Sequence, residues 1–441
     1  MSFQQLRPRK RLSFDWKILL PLLLISTIGI TSLLSTTVLP GGGFGNLDIV
    51  YKQVLFILIG IIFYTIITFF DISYLKHWQV ILSIYLFVLI LLLITLFFAP
   101  TINNVKRWLV IGGIQVQPSE IAKVAVVLIT ATVLSKKEKL NEWVLFLISF
   151  LLTLPLAILI YLEPDASMAF LVIIIWFLVA FLGLSNPVRN TIILLVAGCI
   201  SGSFLLNAIT GNPIWYLLII PALVLTVFSL YSRVTWKGIL MVSIVLSLLL
   251  GLSSSFFWNK GLLQKYQKDR IEAFLNPSET EQDLGFNVNQ SRIAIGSGRF
   301  FGKGFGNGTQ SKRQFLPEHQ TDFIFASYAE ESGLVGSLFL MGLYAFLIVF
   351  CFSIGMASSQ DQLYSLIAVG IGIKLLFEIF INIGTNTGTV PATGIALPLM
   401  SAGGSSGIMT FISFGLVQNI LNYVKRIRGD RSKEIVEFFE N

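Results

Sequence analysis

The run Trp78-Gln-Val-Ile-Leu-Ser-Ile-Tyr-Leu-Phe-Val-Leu-Ile-Leu-Leu-Leu-Ile-Thr-Leu-Phe-Phe98 decides the fold class. It carries no charge and is apolar all round, so as a helix it has no broad polar face to turn to water. A helix of about 20 such residues crosses the ~30 Å hydrocarbon layer and satisfies its own backbone where water is absent. Comparable runs recur at 16–36, 53–70, 119–135, 142–162, 166–184, 189–208, 214–231, 237–257, 334–355, 361–383 and 405–424, making twelve in all. With 55% hydrophobic and 12% charged residues over 441 positions, and a mean hydropathy of +0.80, one ordinary soluble core is excluded. The sequence predicts an all-α, polytopic transmembrane protein of about twelve spans.

An even number of spans puts both termini on one side, and the basic residues of the short flanks say which. Arg7, Arg9, Lys10, Arg11, Lys76, Lys136, Lys137, Lys139, Arg189, Arg233, Lys237, Lys425, Arg426 and Arg428 gather on one face of the membrane. The opposite short loops hold little beyond Lys52, Lys106 and Arg107. The reading is one membrane domain over 1–441, with cytoplasmic termini at 1–15 and 425–441 and a large extracytoplasmic loop at 258–333. Topology then accounts for most of the +8 net charge without a nucleic-acid partner. The first apolar run is too long for a signal-peptide core and reads as an uncleaved helix. Cys199 and Cys351 lie within apolar runs and read as packing residues, while His77 and His319 are too far apart for a histidine metal centre.

Three stretches depart from membrane composition. The loop 258–333 is rich in cations, including Lys303, which fits either a solvated loop or a site for a polyanion near the membrane surface. Its run Gly298-Arg-Phe-Phe-Gly302-Lys303-Gly304-Phe-Gly306 lacks the spacing and the Ser or Thr of a nucleotide P-loop, leaving only a nonspecific pyrophosphate nest. In the second stretch, Gln117-Pro118-Ser119-Glu120 opens a helix in which Glu120 and Lys123 fall on one face. Ionisable groups at that depth cost about 2.5–3.5 kcal/mol each unless paired or hydrated, so they read as a cavity-facing pair or a structural one. The third, 384–404, is uncharged and rich in Gly, Thr and Ser, a composition that survives at membrane depth only under protein cover or beside a wet cavity. Beside it, Lys374 and Glu378 are spaced i, i+4 for pairing.

Lys106-Arg107-Trp108, Gln117-Pro118-Ser119-Glu120-Ile121-Ala122-Lys123, Gln290-Ser291, Gly302-Lys303-Gly304 and Gly308-Thr309-Gln310-Ser311 resemble the shape, elongation, division and sporulation (SEDS) family. So do Phe315-Leu316-Pro317-Glu318, Thr321-Asp322-Phe323-Ile324-Phe325, Ala329-Glu330-Glu331 and Gly403-Gly404-Ser405-Ser406. They follow the family's order over nearly the whole chain, and the wording at 295–298 and 308–311 is nearer its elongation branch than its division branch. The resemblance implies a peptidoglycan glycosyltransferase of the bacterial cytoplasmic (inner) membrane that polymerises lipid II into β-1,4 strands on the extracytoplasmic face. Its implied partners are lipid II, the nascent lipid-linked glycan and a class B penicillin-binding protein that cross-links the strand.

Carried over by motif, the essential acid falls on Asp322, with Arg107, Trp108, Glu120 and Lys123 in support. Lys303, Gln310, Glu318 and Thr321 complete the candidate substrate-binding set. Transfer from a lipid pyrophosphate needs chiefly a base for the attacking hydroxyl and cations for the leaving group, so Asp322 is the expected general base of an inverting displacement. A divalent cation, Mg²⁺ or Mn²⁺, is an open option. The chain also departs from the family pattern. It has about two more spans than the usual ten, Glu163-Pro164-Asp165-Ala166-Ser167-Met168 stands for Gln-Pro-Asp-Leu-Gly-Thr, and Gln320 stands for a His. A flippase or transporter, a division-type glycosyltransferase and a silent scaffold are the competing readings.

Overall fold

The computed structural model describes residues 14–39, 43–101, 105–112, 114–137, 139–232, 235–259, 265–275, 284–309 and 320–440. The chain folds into α1 (Trp16–Thr36), α2 (Asp48–Phe69), α3 (Trp78–Phe98), α4 (Pro118–Leu134), α5 (Glu142–Leu162), α6 (Ala166–Gly183) and α7 (Pro187–Thr210). These are followed by α8 (Ile219–Tyr231), α9 (Lys237–Asn259), α10 (Lys265–Leu275), α11 (Leu284–Ser297), α12 (Ile324–Ala357), α13 (Gln362–Thr387) and α14 (Gly404–Glu440). A two-stranded antiparallel hairpin, β1 (Leu109–Ile111) and β2 (Ile114–Val116), precedes α4, with Val110 opposite Gln115. All twelve apolar runs are helical. Among the described residues ten helices are long and apolar enough to cross a membrane, and the other two runs are the 17-residue α4 and the Lys237–Ser253 part of α9.

Packing divides the chain into two compact units, Met1–Gly183 with Ala273–Asn441, and Leu184–Glu272. In the first, α4 is the central helix, packed against α3, α5, α6, α13 and α14 and buried almost end to end. That position explains its small side chains and its charges, because it meets protein on every side. By contrast α3 leaves Phe87, Ile90, Phe97 and Phe98 exposed, as a helix facing acyl chains does. Close contact between α2 and α14 depends on missing side chains: a Cβ on Gly60 would stand 2.4 Å from the Phe411 ring, and one on Gly415 3.0 Å from the Tyr64 carbonyl. Asp15 caps α1 by accepting from the Lys17 N–H, and its carboxylate pairs with Lys425 at 2.7 Å, tying the start of α1 to α14.

Two departures from the sequence pattern position the site. The apolar run beginning at Leu334 is only the second part of α12, which starts at Ile324 and breaks at Gly333, where φ is 66° and ψ −163°. The uncharged segment after α13 is irregular but covered, with Ile395, Leu397, Leu399 and Met400 buried and the Pro398 carbonyl accepting from the Tyr344 hydroxyl at 2.5 Å.

The second unit stands on its own contacts. Asn186, at φ 63°, caps α7 by accepting from the Arg189 N–H, and the Arg189 guanidinium donates back to the Ser185 carbonyl at 2.6 Å. A Cβ on Gly251 would lie 2.7 Å from the Phe204 ring, so that glycine lets α9 close on α7.

Candidate active site

The short turn 320–322 leading into α12 is held residue by residue. The Gln320 carbonyl accepts from the Ala402 N–H at 2.9 Å, and the Thr321 carbonyl from the Ser401 hydroxyl at 2.6 Å. The Asp322 carbonyl accepts from both Asn382 and Asn386 of α13, each at 2.9 Å. Asn386 also accepts from the Ala326 N–H at 3.1 Å, near the start of α12. The two asparagines are one helical turn apart and buried, so a single face of α13 fixes the backbone of Asp322. The Asp322 side chain is half-buried, and its Oδ2 would lie 3.4 Å from a Cβ placed on Gly394.

Gly394 lines a cavity of about 320 Å³. Its wall brings together Trp108, Glu120 and Thr321 from the candidate set with Lys52, Gln53 and Gln117, and the start of α14 at Gly404–Ser406 completes it. Ser405 joins the hairpin to α14, accepting from the Gln117 N–H at 3.0 Å and donating to the Gln115 carbonyl at 3.2 Å. The site therefore presents one carboxylate on its wall, a second beside it, an ammonium, an indole and several amides.

Behind Glu120 the charges form a chain. Lys123 pairs with Glu120 at 2.9 Å and with Glu378 of α13 at 2.5 Å, and Glu378 pairs with Lys374 at 3.0 Å. All four are buried, and two cations balance two anions. The two pairs legible in the sequence thus become one network. Lys123 is wholly committed to carboxylates, which leaves Glu120 as the member of the chain that lines the cavity.

Arg107 is also engaged. It donates to the Pro164 carbonyl and to the Glu163 carbonyl at 3.4 Å, and its Nε lies 3.8 Å from Asp165 Oδ2. Gln117 donates to the same Asp165 oxygen at 3.0 Å, linking the 163–165 turn to the cavity wall. Glu163 is 1% exposed, and neither of its carboxyl oxygens has a hydrogen-bond partner among the described residues. Burial, reinforced by the neighbouring Asp165 and opposed by Arg107, pushes its carboxyl up to about 9.

Lys303 stands apart, paired with the buried Glu330 at 2.6 Å and donating to the Thr309 hydroxyl at 2.8 Å. The glycine-rich turn around it is no anion nest. The N–H groups of Gly302, Lys303 and Gly304 donate to the carbonyls of Gly298, Glu330 and Glu331, and that of Gly306 to the Ser35 hydroxyl. Gln310 and Glu318 lie outside the described residues. Sequence reasoning missed Asn382, Asn386, Gln53 and Gln117 as parts of the site. Its available signal was two amides at i, i+4 that continue the spacing of Lys374 and Glu378 along the same helix. No group of three or more His, Cys, Asp or Glu among the described residues could hold a metal, so Mg²⁺ or Mn²⁺ would rely on substrate phosphates and water for most of its ligands.

Helices that cross a membrane many times around a charged central helix, with a polar cavity at one end of that helix, define a multi-pass membrane protein carrying a polar site. The family model for FtsW, RodA and SpoVE, described as cell cycle protein, matches residues 14–212 and 213–426. The chain is 32% identical to peptidoglycan glycosyltransferase MrdB of Escherichia coli strain K12, over 78% of each chain. It is 30% identical to peptidoglycan glycosyltransferase RodA of Treponema pallidum, over 92% of this chain and 97% of that one. In fold it resembles a chain of a peptidoglycan synthase complex solved for its coordination of polymerization and crosslinking, with a TM-score of 0.66, 24% identity and coverage of 94% of this chain and 99% of the other. The chain belongs to the FtsW/RodA/SpoVE family.

Proposed function

We propose that this protein is a peptidoglycan glycosyltransferase of the elongation type, polymerising lipid II with Asp322 as general base. The acceptor's 4-hydroxyl attacks the donor's anomeric carbon; the new C–O bond forms as the bond to the lipid pyrophosphate breaks, and the hydroxyl proton passes to the Asp322 carboxylate. One in-line displacement inverts an α-linked donor to a β-1,4 product. The observation that carries the reading is the backbone of Asp322, held at consecutive carbonyls beside a polar cavity of about 320 Å³. Preorganisation of this kind is what a base needs, because its orientation cost is met during folding.

Within this reading Trp108, Thr321 and Glu120 contact the sugars, Lys52 supplies a cation for the pyrophosphate, and Arg107 acts by holding the 163–165 turn beside the cavity wall. Lys123 acts through Glu120, since its own ammonium lies between two carboxylates. The protein sits in the bacterial inner membrane with both termini cytoplasmic and the cavity opening toward the extracytoplasmic side, and a class B penicillin-binding protein cross-links its product. The purified chain in liposomes, given fluorescent lipid II, is expected to make moenomycin-resistant polymer. Normal polymerisation by Asp322→Ala would end the assignment. The buried ion chain favours one other reading, a lipid flippase; movement of lipid II between leaflets without polymer would support it.

A further inference from the structure

The turn 298–306, between α11 and the break in α12, wears its apolar side chains outward. Phe300 is 66% exposed, Phe301 84% and Phe305 55%. Phenylalanines left in water forfeit roughly 1.5–3 kcal/mol each relative to burial, so three close together need a cover.

The attachment of the turn indicates what the cover is. The Leu334 N–H donates to the Arg299 carbonyl at 2.8 Å and the Val335 N–H to the Phe300 carbonyl at 3.1 Å, fastening the turn to α12 just past its break. The contact is backbone against backbone: a Cβ on Gly302 would stand 2.0 Å from the Glu331 carbonyl oxygen, and one on Gly333 2.3 Å from the Gly302 nitrogen. Leu334, Val335, Leu338 and Phe339 are themselves exposed and belong to a helix long and apolar enough to cross the membrane. The phenylalanines therefore extend a surface that already faces lipid. Part of the turn's polar backbone is already paired within the protein. Its Gly302, Lys303 and Gly304 N–H groups are paired at 2.8, 3.0 and 3.0 Å, and Lys303 is neutralised by Glu330. Arg299 is exposed, and its length lets the guanidinium reach headgroups while its stem stays in apolar surroundings.

We propose that the 298–306 turn is seated in the bilayer itself, with Phe300, Phe301 and Phe305 inserted at the boundary of headgroups and acyl chains and Arg299 on lipid phosphate. The partner is phospholipid, and the inference is independent of the catalytic reading. In the family fold this holds the entrance to α12, and with it the segment before the break, at a constant depth.

The test uses the full chain with Cys199→Ser and Cys351→Ala, reconstituted in vesicles of phosphatidylethanolamine and phosphatidylglycerol. A nitroxide is attached at Phe301→Cys or, in a separate variant, at Phe305→Cys, with Lys139→Cys as a reference on an exposed loop. Oxygen, which partitions into acyl chains, should collide with the label at 301 and 305 several-fold more often than a water-soluble nickel chelate does, with the opposite ratio at 139. A chelate-dominated ratio at 301 and 305 overturns the proposal, and so does a label reached by neither reagent, which would mean that protein covers the turn. Should the cysteine variants not fold, a diazirine phospholipid applied to the unaltered chain serves instead: adducts on the peptide 299–306 support the proposal, and their absence while α3 is labelled overturns it.

Discussion

The Asp322 carbonyl is structural, accepting from Asn382 and Asn386, and the proposed mechanism draws on a different part of the residue, its carboxylate. Asp322→Ala should therefore retain the fold, with an unchanged elution profile, while polymerisation falls by about 10²–10⁴-fold, the usual worth of a positioned base. Gly394 tests the same geometry from the facing side. Its φ is +77°, and an added methyl would lie 3.4 Å from Asp322 Oδ2. Gly394→Ala is expected to cost about 1–2 kcal/mol in stability for the left-handed backbone and to lower turnover further than that loss explains. Glu163 makes a pH prediction. Its carboxyl is raised from 4.5 to about 9, so the native state keeps a proton that the unfolded chain releases. Between those values the unfolded state binds fewer protons, and stability contributed by the neutral acid declines as pH rises toward 9. Glu163→Gln should flatten that decline in melting scans from pH 5 to 9 in detergent. A protonated glutamic acid is nearly the shape of the glutamine that the family usually carries there, which gives the departure from its motif a physical reading.

At the scale of elements, the unit to consider is the pair α4 and α13, joined by Glu120–Lys123–Glu378–Lys374. Glu378 is shared by two ammonium groups, so Glu378→Ala strands Lys374 in a low-dielectric interior and leaves Lys123 with Glu120 alone. Breaking a buried pair by removing one partner costs about 3–5 kcal/mol, and a large drop in thermal midpoint is expected, with a smaller one for Lys374→Met, which strands no cation and leaves Lys123 with both of its carboxylates. Equal midpoints for the two variants would show that the chain is not coupled through Glu378. The break in α12 is a second element-scale feature. Gly333 occupies a backbone region open essentially to glycine alone, and its Cβ position is already filled by the 298–306 turn. Gly333→Ala should prevent that turn from docking and reduce the yield of folded protein, whereas Gly342→Ala, where a Cβ meets nothing within 4 Å, should be tolerated.

For the whole molecule the prediction is sidedness. Basic residues concentrate in one set of short flanks, so a fluorescent protein fused after Asn441 should be bright and alkaline phosphatase fused there inactive. The reverse pattern would overturn the proposed sidedness. The separation of Leu184–Glu272 as its own compact unit has no counterpart in the hydropathy of α7 and α8, which are as apolar as the helices before them.

The sequence by itself determined the apolar membrane helices, though not α10, α11 or the start of α12 within 258–333, since apolar length and charge placement are properties of consecutive residues. It also determined the order of the motifs, which places the chain in its family, and the spacing that puts Glu120 with Lys123 and Lys374 with Glu378. Only the tertiary structure decided that these two pairs are one network. It also set Asn382 and Asn386 under Asp322, turned Arg107 toward the 163–165 turn, and closed the glycine-rich N–H groups onto protein oxygens of the turn, α12 and α1 rather than onto an anion. Such contacts join residues tens to hundreds of positions apart. Local pattern carries no information about which polar group a buried donor will meet, and in an apolar interior that choice settles where charge remains available for chemistry.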